Sequence, residues 1–326
     1  MPTEDKLLLG IEIGGSKVQL AAGSTPTNVI RRQRISVAPG DRAVDICRRI
    51  DAALQAWADT PWLAAGVGFG GPVDWRRGRI HCSHQVAGWE QADLGGWLSE
   101  RIAAPVAIEN DANVAALAEV CLGAGAGFDP VFYTNSGSGV GGGLVVAGGI
   151  YHGAPPGEAE FGHLRLTPSG ATVEQTCSGW AVDRKVREHC AQHPAGLLAQ
   201  VVASAPGAEA RHLKAALLAG DDAARAILEE TAGSLAFALS HVVHLLHPEL
   251  VLLGGGLSLI GEPWRAAVAQ ALPRHLMNVF LPGPEIRLAA LGEEMVPLGA
   301  LLLAASLANG AAAVGHLHPV TPKHSL

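Results

Sequence analysis

The run Gly137-Ser138-Gly139-Val140-Gly141-Gly142-Gly143 offers consecutive backbone N–H groups with little side chain in the way. Glycine lets such groups converge on an anion without a Cβ obstructing them, and Ser138 adds a hydroxyl donor. Shortly before it, Glu109-Asn110-Asp111-Ala112-Asn113 places a carboxylate where a strand should give way to a helix. An anion cradle near a candidate base points to phosphate chemistry on a hydroxyl. A second glycine turn, Gly14-Gly15-Ser16-Lys17, lies between apolar runs, and Gly254-Gly255-Gly256 ends another strand-like run.

Each feature also has an ordinary structural reading. A glycine turn can be a tight turn and nothing more, although two hairpins and a third strand end of this kind favour phosphate binding. Asp111 suits a helix N-cap. As a general base it would instead take the proton of an attacking sugar hydroxyl, an effect of ~10²–10⁴ in rate. The C-terminal ends of strands in open α/β sheets are where ligands sit, which favours the second role. Glu160-Phe161-Gly162-His163, with Glu174 beyond, either hydrogen-bonds vicinal hydroxyls or forms a solvated loop. His241, His244 and His247 recur every third residue and read as structural histidines at a helix C-terminus, where the dipole favours the charged form. A metal site would need closer convergence and more ligands. Gly66/Gly68/Gly71 and Gly137/Gly139/Gly142 both fit G-x-G-x-x-G, but neither opens a helix as a dinucleotide site requires, and no P-loop occurs.

Hydrophobic periodicity predicts the elements that hold these residues. Residues 7–13 and 17–22 form a β-hairpin. Residues 41–58 form a helix with Val44, Cys47, Ile50 and Leu54 on one face, and 63–69 a buried strand. A helix over 94–102, a strand over 105–108 and an Ala-rich helix over 112–122 follow. Residues 130–134 and 143–146 make a second hairpin, so the two halves repeat in outline. Helices over 180–192, 209–218 and 222–246 lead to a strand over 250–253. A helix over 263–272, a strand over 285–289 and a helix over 298–307 complete the pattern. Alternating strands and helices give an α/β architecture. A small-residue stretch over 122–129 marks a boundary between two domains, 1–122 and 123–297, with a C-terminal helix over about 298–320 packing back on the first.

The chain has 326 residues, 48% hydrophobic and only 16% charged, with 41 glycines and 20 prolines. That is a globular protein rather than a disordered one. A net charge of −7 argues against a general nucleic-acid binder. Five scattered cysteines without a CxxC pair read as reduced thiols of a cytoplasmic protein. The acidic first residues show no secretory signal. Residues 295–315 are uncharged and long enough to span a bilayer, but Pro297, Ser306 and Asn309-Gly310 and the absence of basic flanks favour a buried helix.

Five motifs in order resemble the ROK family (repressors, open reading frames, kinases) of the actin-like/hexokinase superfamily, over nearly the whole chain. Leu9-Gly10-Ile11-Glu12-Ile13-Gly14-Gly15-Ser16-Lys17 is similar to its first phosphate motif, with Glu12 and Ser16 where Asp and Thr are usual. Gly66-Val67-Gly68-Phe69-Gly70-Gly71-Pro72-Val73-Asp74 resembles the sugar-side loop, with Gly70 in place of Pro. Gly88-Trp89 matches a family pair, and Gln85 falls about where an Asn often contacts the sugar. Glu109–Asn113 matches the catalytic motif residue for residue. Gly137–Gly143 and Pro248–Gly256 match the second phosphate and the adenosine motifs.

The resemblance implies an actin-like/hexokinase (ribonuclease H-like) fold, two α/β domains flanking a cleft. It implies an ATP-dependent hexose kinase of the cytoplasm, glucokinase first, with Asp111 as base and Asn110, Gly71, Glu160, His163 and Glu174 on the sugar. Mg²⁺-ATP would lie along Glu12, Gly14, Gly15, Ser16, Lys17, Gly137, Ser138, Gly139, Gly254, Gly255 and Gly256. Fructose, N-acetylmannosamine and allose remain alternative acceptors, and a catalytically weak sugar-binding regulator the alternative role. A homodimer or larger homo-oligomer is implied, with no membrane partner. ROK repressors carry a helix-turn-helix domain ahead of the first phosphate motif, for which residues 1–8 leave no room. The family's cysteine loop, which with the motif's His holds a structural zinc, is missing: Glu160 and His163 run on to Glu174 without it. No zinc and no other protein-held metal are therefore expected.

Overall fold

The computed structural model describes residues 6–154, 157, 159–203 and 207–310. These form two compact units, one from residues up to 122, 143–159 and from 293 on, the other from 123–142 and 160–292.

The first unit begins with β1 (Leu7–Ile13) and β2 (Lys17–Thr25), antiparallel, with Ile13 opposite Val18 across the Gly14-Gly15-Ser16 turn. β3 (Asn28–Ser36) pairs with β2 at the sheet edge and carries Arg31, Arg32 and Arg34. Sequence reading misses it because its residues are mostly exposed and three arginines interrupt its apolar positions, the usual protection of an edge strand. The helix α1 (Ala43–Gln55) follows, with Asp45 in its first turn accepting the Arg42 N–H at 3.1 Å. Its buried stripe is Ala43, Ile46, Ile50, Ala53 and Leu54, whereas Val44 is exposed, contrary to the predicted face. Val44 stands two residues before Ile46, about 200° around the helix from it.

β4 (Trp62–Phe69) runs parallel to β1, and β5 (Val73–Asp74) and β6 (Arg79–Ile80) form a small antiparallel ribbon. α2 (Leu94–Ile102) leads to β7 (Val106–Asn110), parallel to β4, which passes directly into α3 (Asp111–Leu122). The sheet order is β3-β2-β1-β4-β7.

In the second unit β8 (Val131–Ser136) turns into β9 (Val140–Val146), whose last residues lie in the first unit and pair there with β10 (Gly149–Ile150). The helices α4 (Val173–Cys177), α5 (Gly179–Gln192), α6 (Leu197–Ala203), α7 (Leu213–Leu218) and α8 (Asp222–Leu246) follow. The single helix expected over 209–218 is a 3₁₀ turn, Glu209–His212, continued by α7. The short α4 and α6 offer too few turns to show helical periodicity. β11 (Leu250–Gly254) is fully buried and parallel to β8; α9 (Glu262–Ala271) leads to β12 (Glu285–Leu288), parallel to β11. His241 contacts Phe237 edge-on, and His244 and His247 contact Phe280, so the three histidines pack against aromatic rings.

α10 (Met295–Ala308) belongs to the first unit and packs on β1, β4 and α3. The approach is close enough to require glycine on the strands. A Cβ on Gly66 would lie 2.0 Å from the Ala300 carbonyl oxygen, and one on Gly10 would lie 2.7 Å from that of Pro297. Gly10 and Gly66 of the two motifs thus seat a helix. The part of the predicted C-terminal helix beyond 310 lies outside the described residues. No helix among those described is long and apolar enough to cross a membrane.

Candidate functional site

In the first unit two loops and the start of α3 meet at the C-terminal ends of β1, β4 and β7. The β1–β2 turn is closed by the Gly14 N–H donating to the Lys17 carbonyl at 2.9 Å, and the Gly70 N–H donates to the Ile13 carbonyl at 2.9 Å. A methyl group on Gly70 would stand 3.3 Å from Asp111 Oδ2 and 3.6 Å from the Gly14 Cα. The Asp111 carboxylate therefore stands beside Gly70 of the sugar-side loop, and Gly70 in turn lies against the first glycine turn.

The start of α3 is capped by Asn110, whose Oδ1 accepts the N–H groups of Ala112 at 2.9 Å and Asn113 at 3.3 Å. Asn110 Nδ2 donates to the Gly71 carbonyl at 3.2 Å, tying the helix start to the sugar-side loop. An amide nitrogen carries two donors, so its other N–H is the atom through which Asn110 can reach a hydroxyl.

Glu12, at the end of β1, is largely enclosed. Its carboxylate accepts Gln19 Nε2 at 2.5 Å and lies 3.6 Å from Lys17 Nζ, which is equally close to Glu293. Burial raises its pKa above the ordinary carboxylate value, against the opposing pull of Gln19 and Lys17. Gln85 lies across the turn: a Cβ on Gly15 would overlap its side-chain oxygen, at 1.6 Å. In this structure Gln85 is thus a neighbour of the first phosphate motif.

In the second unit the β8–β9 turn is partly self-satisfied. The Gly137 N–H donates to the Gly139 carbonyl at 2.9 Å and the Gly141 N–H to Asn135 Oδ1 at 2.7 Å. The Val140 N–H donates to Glu174 Oε2 at 3.0 Å. Three amides of the expected cradle therefore already have protein partners. Behind the turn the Gly179 N–H, at the start of α5, donates to the Gly137 carbonyl at 2.7 Å. Gly255 presses on the backbone of Ser136, bringing the end of β11 against the same turn.

Glu174 stands in the first turn of α4, placed by the Thr172–Gln175 capping box. One of its oxygens is committed to the hairpin rather than held out for a sugar. Glu160 and His163 flank a 3₁₀ turn, Phe161–His163, that α4 packs against. Phe161 is buried edge-on against Phe132, and Gly162 crosses the Val140 carbonyl too closely for any side chain. Those anchors leave Glu160 and His163 outward, 3.7 Å apart and roughly half exposed.

His163 lies 3.7 Å from Glu160, and Cys177 is fully buried, its thiol near the Thr231 carbonyl at 3.6 Å and its pKa pushed up to about 12 by burial. No group of three His, Cys, Asp or Glu suited to a metal occurs among the described residues. Elemental analysis of the purified protein is expected to find no stoichiometric zinc; one zinc per chain would contradict this.

His152 has no signal in the sequence, yet its ring meets the buried carboxylate of Glu109. It follows β10, 43 positions from Glu109, in no recognisable motif. Only the folded chain reveals the pairing.

A profile of the ROK family matches residues 8–306. The chain is similar to the glucokinase of Thermotoga maritima, 28% identical over 304 residues, covering 90% of this chain and 95% of the relative. It is also similar to the N-acetylgalactosamine kinase AgaK of Shewanella sp., 29% identical over 308 residues, covering 92% and 97%. Among solved structures, a ROK family glucokinase from Streptomyces griseus in complex with glucose and AMPPNP superposes with a TM-score of 0.80. The identity is 29%, over 92% of this chain and 99% of that one.

Proposed function

The chain belongs to the ROK family, and we propose that it is an ATP-dependent hexose kinase, with D-glucose converted to glucose 6-phosphate as its leading reaction. The observation that carries this reading is the division of labour at the start of α3. Asn110 caps the helix, and Asp111 sets its carboxylate beside Gly70 of the sugar-side loop. Such a carboxylate at the C-terminal edge of a sheet suits a base far better than a structural cap.

In the proposed reaction the sugar hydroxyl oxygen forms a bond to the γ-phosphorus while the bond to the bridging oxygen breaks. ADP leaves with that electron pair, and the hydroxyl proton passes to Asp111. Gly71, Asn110, Glu160, His163 and Glu174 are the groups assigned to hold the sugar. The turns at Glu12–Lys17 and Gly137–Gly139, with Gly254–Gly256, are assigned to the nucleotide. When bound, Mg²⁺ neutralises charge on the phosphates. It takes few protein ligands and would be carried on the ATP phosphates, with Glu12 at the end of β1 the carboxylate beside the first glycine turn. The rest of catalysis is positioning. A cytoplasmic homodimer or larger assembly is the state proposed, readable by light scattering.

The test is a hexose panel with ATP, followed by ADP release. Glucose, fructose, allose, N-acetylmannosamine and N-acetylgalactosamine should be included, the last because a kinase for it is among the relatives. Glucose is expected to give the highest kcat/KM. A different preferred sugar would move the substrate assignment, and no sugar-dependent ADP would overturn the kinase reading.

A further inference from the structure

A buried carboxylate needs its acceptor sites filled, because an unpaired charge away from water is costly. Glu109 is fully buried. Its Oε1 accepts the Asn110 N–H at 2.8 Å and Asn113 Nδ2 at 3.0 Å, fixing both ends of the first turn of α3. Its Oε2 is bonded to Nε2 of His152, whose side chain is only 7% exposed. The His152 ring in turn stacks on Trp75, with centroids 4.1 Å apart and planes 20° apart. Trp75 directly follows β5 and lies four residues from Gly71, the carbonyl that accepts Asn110 Nδ2. The contacts close a circuit: Asn110 to Gly71, along the chain to Trp75, across the rings to His152, through Glu109 and back to Asn110.

We propose that His152 is a positioning residue for the Asn110–Asp111 turn, holding Glu109 so that the Asp111 carboxylate keeps its place over the sugar-side loop. The proposal rests on the reading of Asp111 as base. It adds that the segment after β10 sets the geometry of that base through Glu109. Removing the imidazole leaves Glu109 Oε2 buried without its partner. The carboxylate then turns in search of another donor, and the bond to the Asn110 N–H loosens. Displacement of a reacting group by about 1 Å costs on the order of 10²-fold in rate.

The experiment uses the full chain with His152→Leu, which removes the ring nitrogens, and His152→Gln, which restores a donor. Amide hydrogen exchange over 109–113 is read beside steady-state kinetics. Leu is expected to speed exchange in that segment and lower kcat about tenfold to a hundredfold, with KM for sugar and ATP little changed. Gln should recover most of both, and Glu109→Gln added to His152→Leu should recover part by removing the stranded charge. A folded Leu variant with unchanged exchange and kcat overturns the proposal, as does equal loss in the Leu and Gln variants. Faster exchange in the Leu variant together with a fully active Asp111→Asn would overturn the base assignment instead, so the two failures are distinguishable.

Discussion

Asp111→Asn is expected to lower kcat by about 10²–10⁴-fold, the usual contribution of a general base, while leaving sugar binding near normal. The substitution is nearly isosteric and keeps hydrogen-bonding capacity, but an amide cannot accept the hydroxyl proton at neutral pH. Stability should hardly move, because Asn110 already accepts the Ala112 and Asn113 N–H groups at the start of α3. Those two outcomes separate the roles the sequence leaves open. A mere cap would show little change in turnover, and a structural charge would show a fall in melting temperature. Steady-state kinetics, calorimetric sugar titration and thermal melting of the one variant decide among them, and unchanged turnover would remove the base assignment.

Gly66→Ala should be among the most destabilising single substitutions in the chain. The new Cβ would meet the backbone carbonyl oxygen of Ala300 at 2.0 Å, and the Leu303 Cβ at 2.9 Å. Neither can rotate away, so α10 must lift from the sheet. Overpacking of this kind costs about 1–3 kcal/mol and occasionally more; with backbone as the obstacle, the upper end is expected, about 3 kcal/mol. The control is Gly233→Ala within α8, where a Cβ would meet nothing within 4 Å. There the higher helix propensity of alanine should leave stability unchanged or raise it by up to ~1 kcal/mol. Equal melting temperatures for Gly66→Ala and the parent would show that α10 is not seated as described.

The contrast between these glycines shows what a sequence carries. Gly66 and Gly68 match the start of a nucleotide fingerprint, and sequence reading can reject that only because no helix follows. What Gly66 does serve, a helix more than two hundred positions later, depends on a long-range contact that glycine advertises without naming its partner. Local signals are legible: the β1–β2 hairpin follows from two apolar runs about a glycine turn, and α8 from sustained periodicity ahead of His247. β3 is lost because a charged edge strand has no apolar alternation to detect. The face of α1 is misjudged by one residue, since Ala43 and Ala53 are buried where larger Val44 and Cys47 carry more apparent hydrophobicity.

At the site, residue types are legible and contacts are not. Glu109–Asn113 reads correctly as a strand passing into a helix with a carboxylate at the joint. That Asn110 carries a cap at the start of α3 depends on side-chain direction, which spacing does not fix. Glu174 is singled out as a sugar ligand, yet the fold sets one of its oxygens on the Val140 N–H of the second glycine turn. The ring of His152 on Glu109 joins positions too far apart in sequence for any pattern to connect.

The most direct measurement is phosphorus NMR of the purified chain incubated with ATP, Mg²⁺ and its preferred hexose, run beside Asp111→Asn. A sugar phosphate ester should appear in step with ADP for the parent protein, with almost none from the variant over the same time. Release of inorganic phosphate without ester, or equal ester formation by both proteins, would contradict an Asp111-assisted phosphoryl transfer to a sugar hydroxyl.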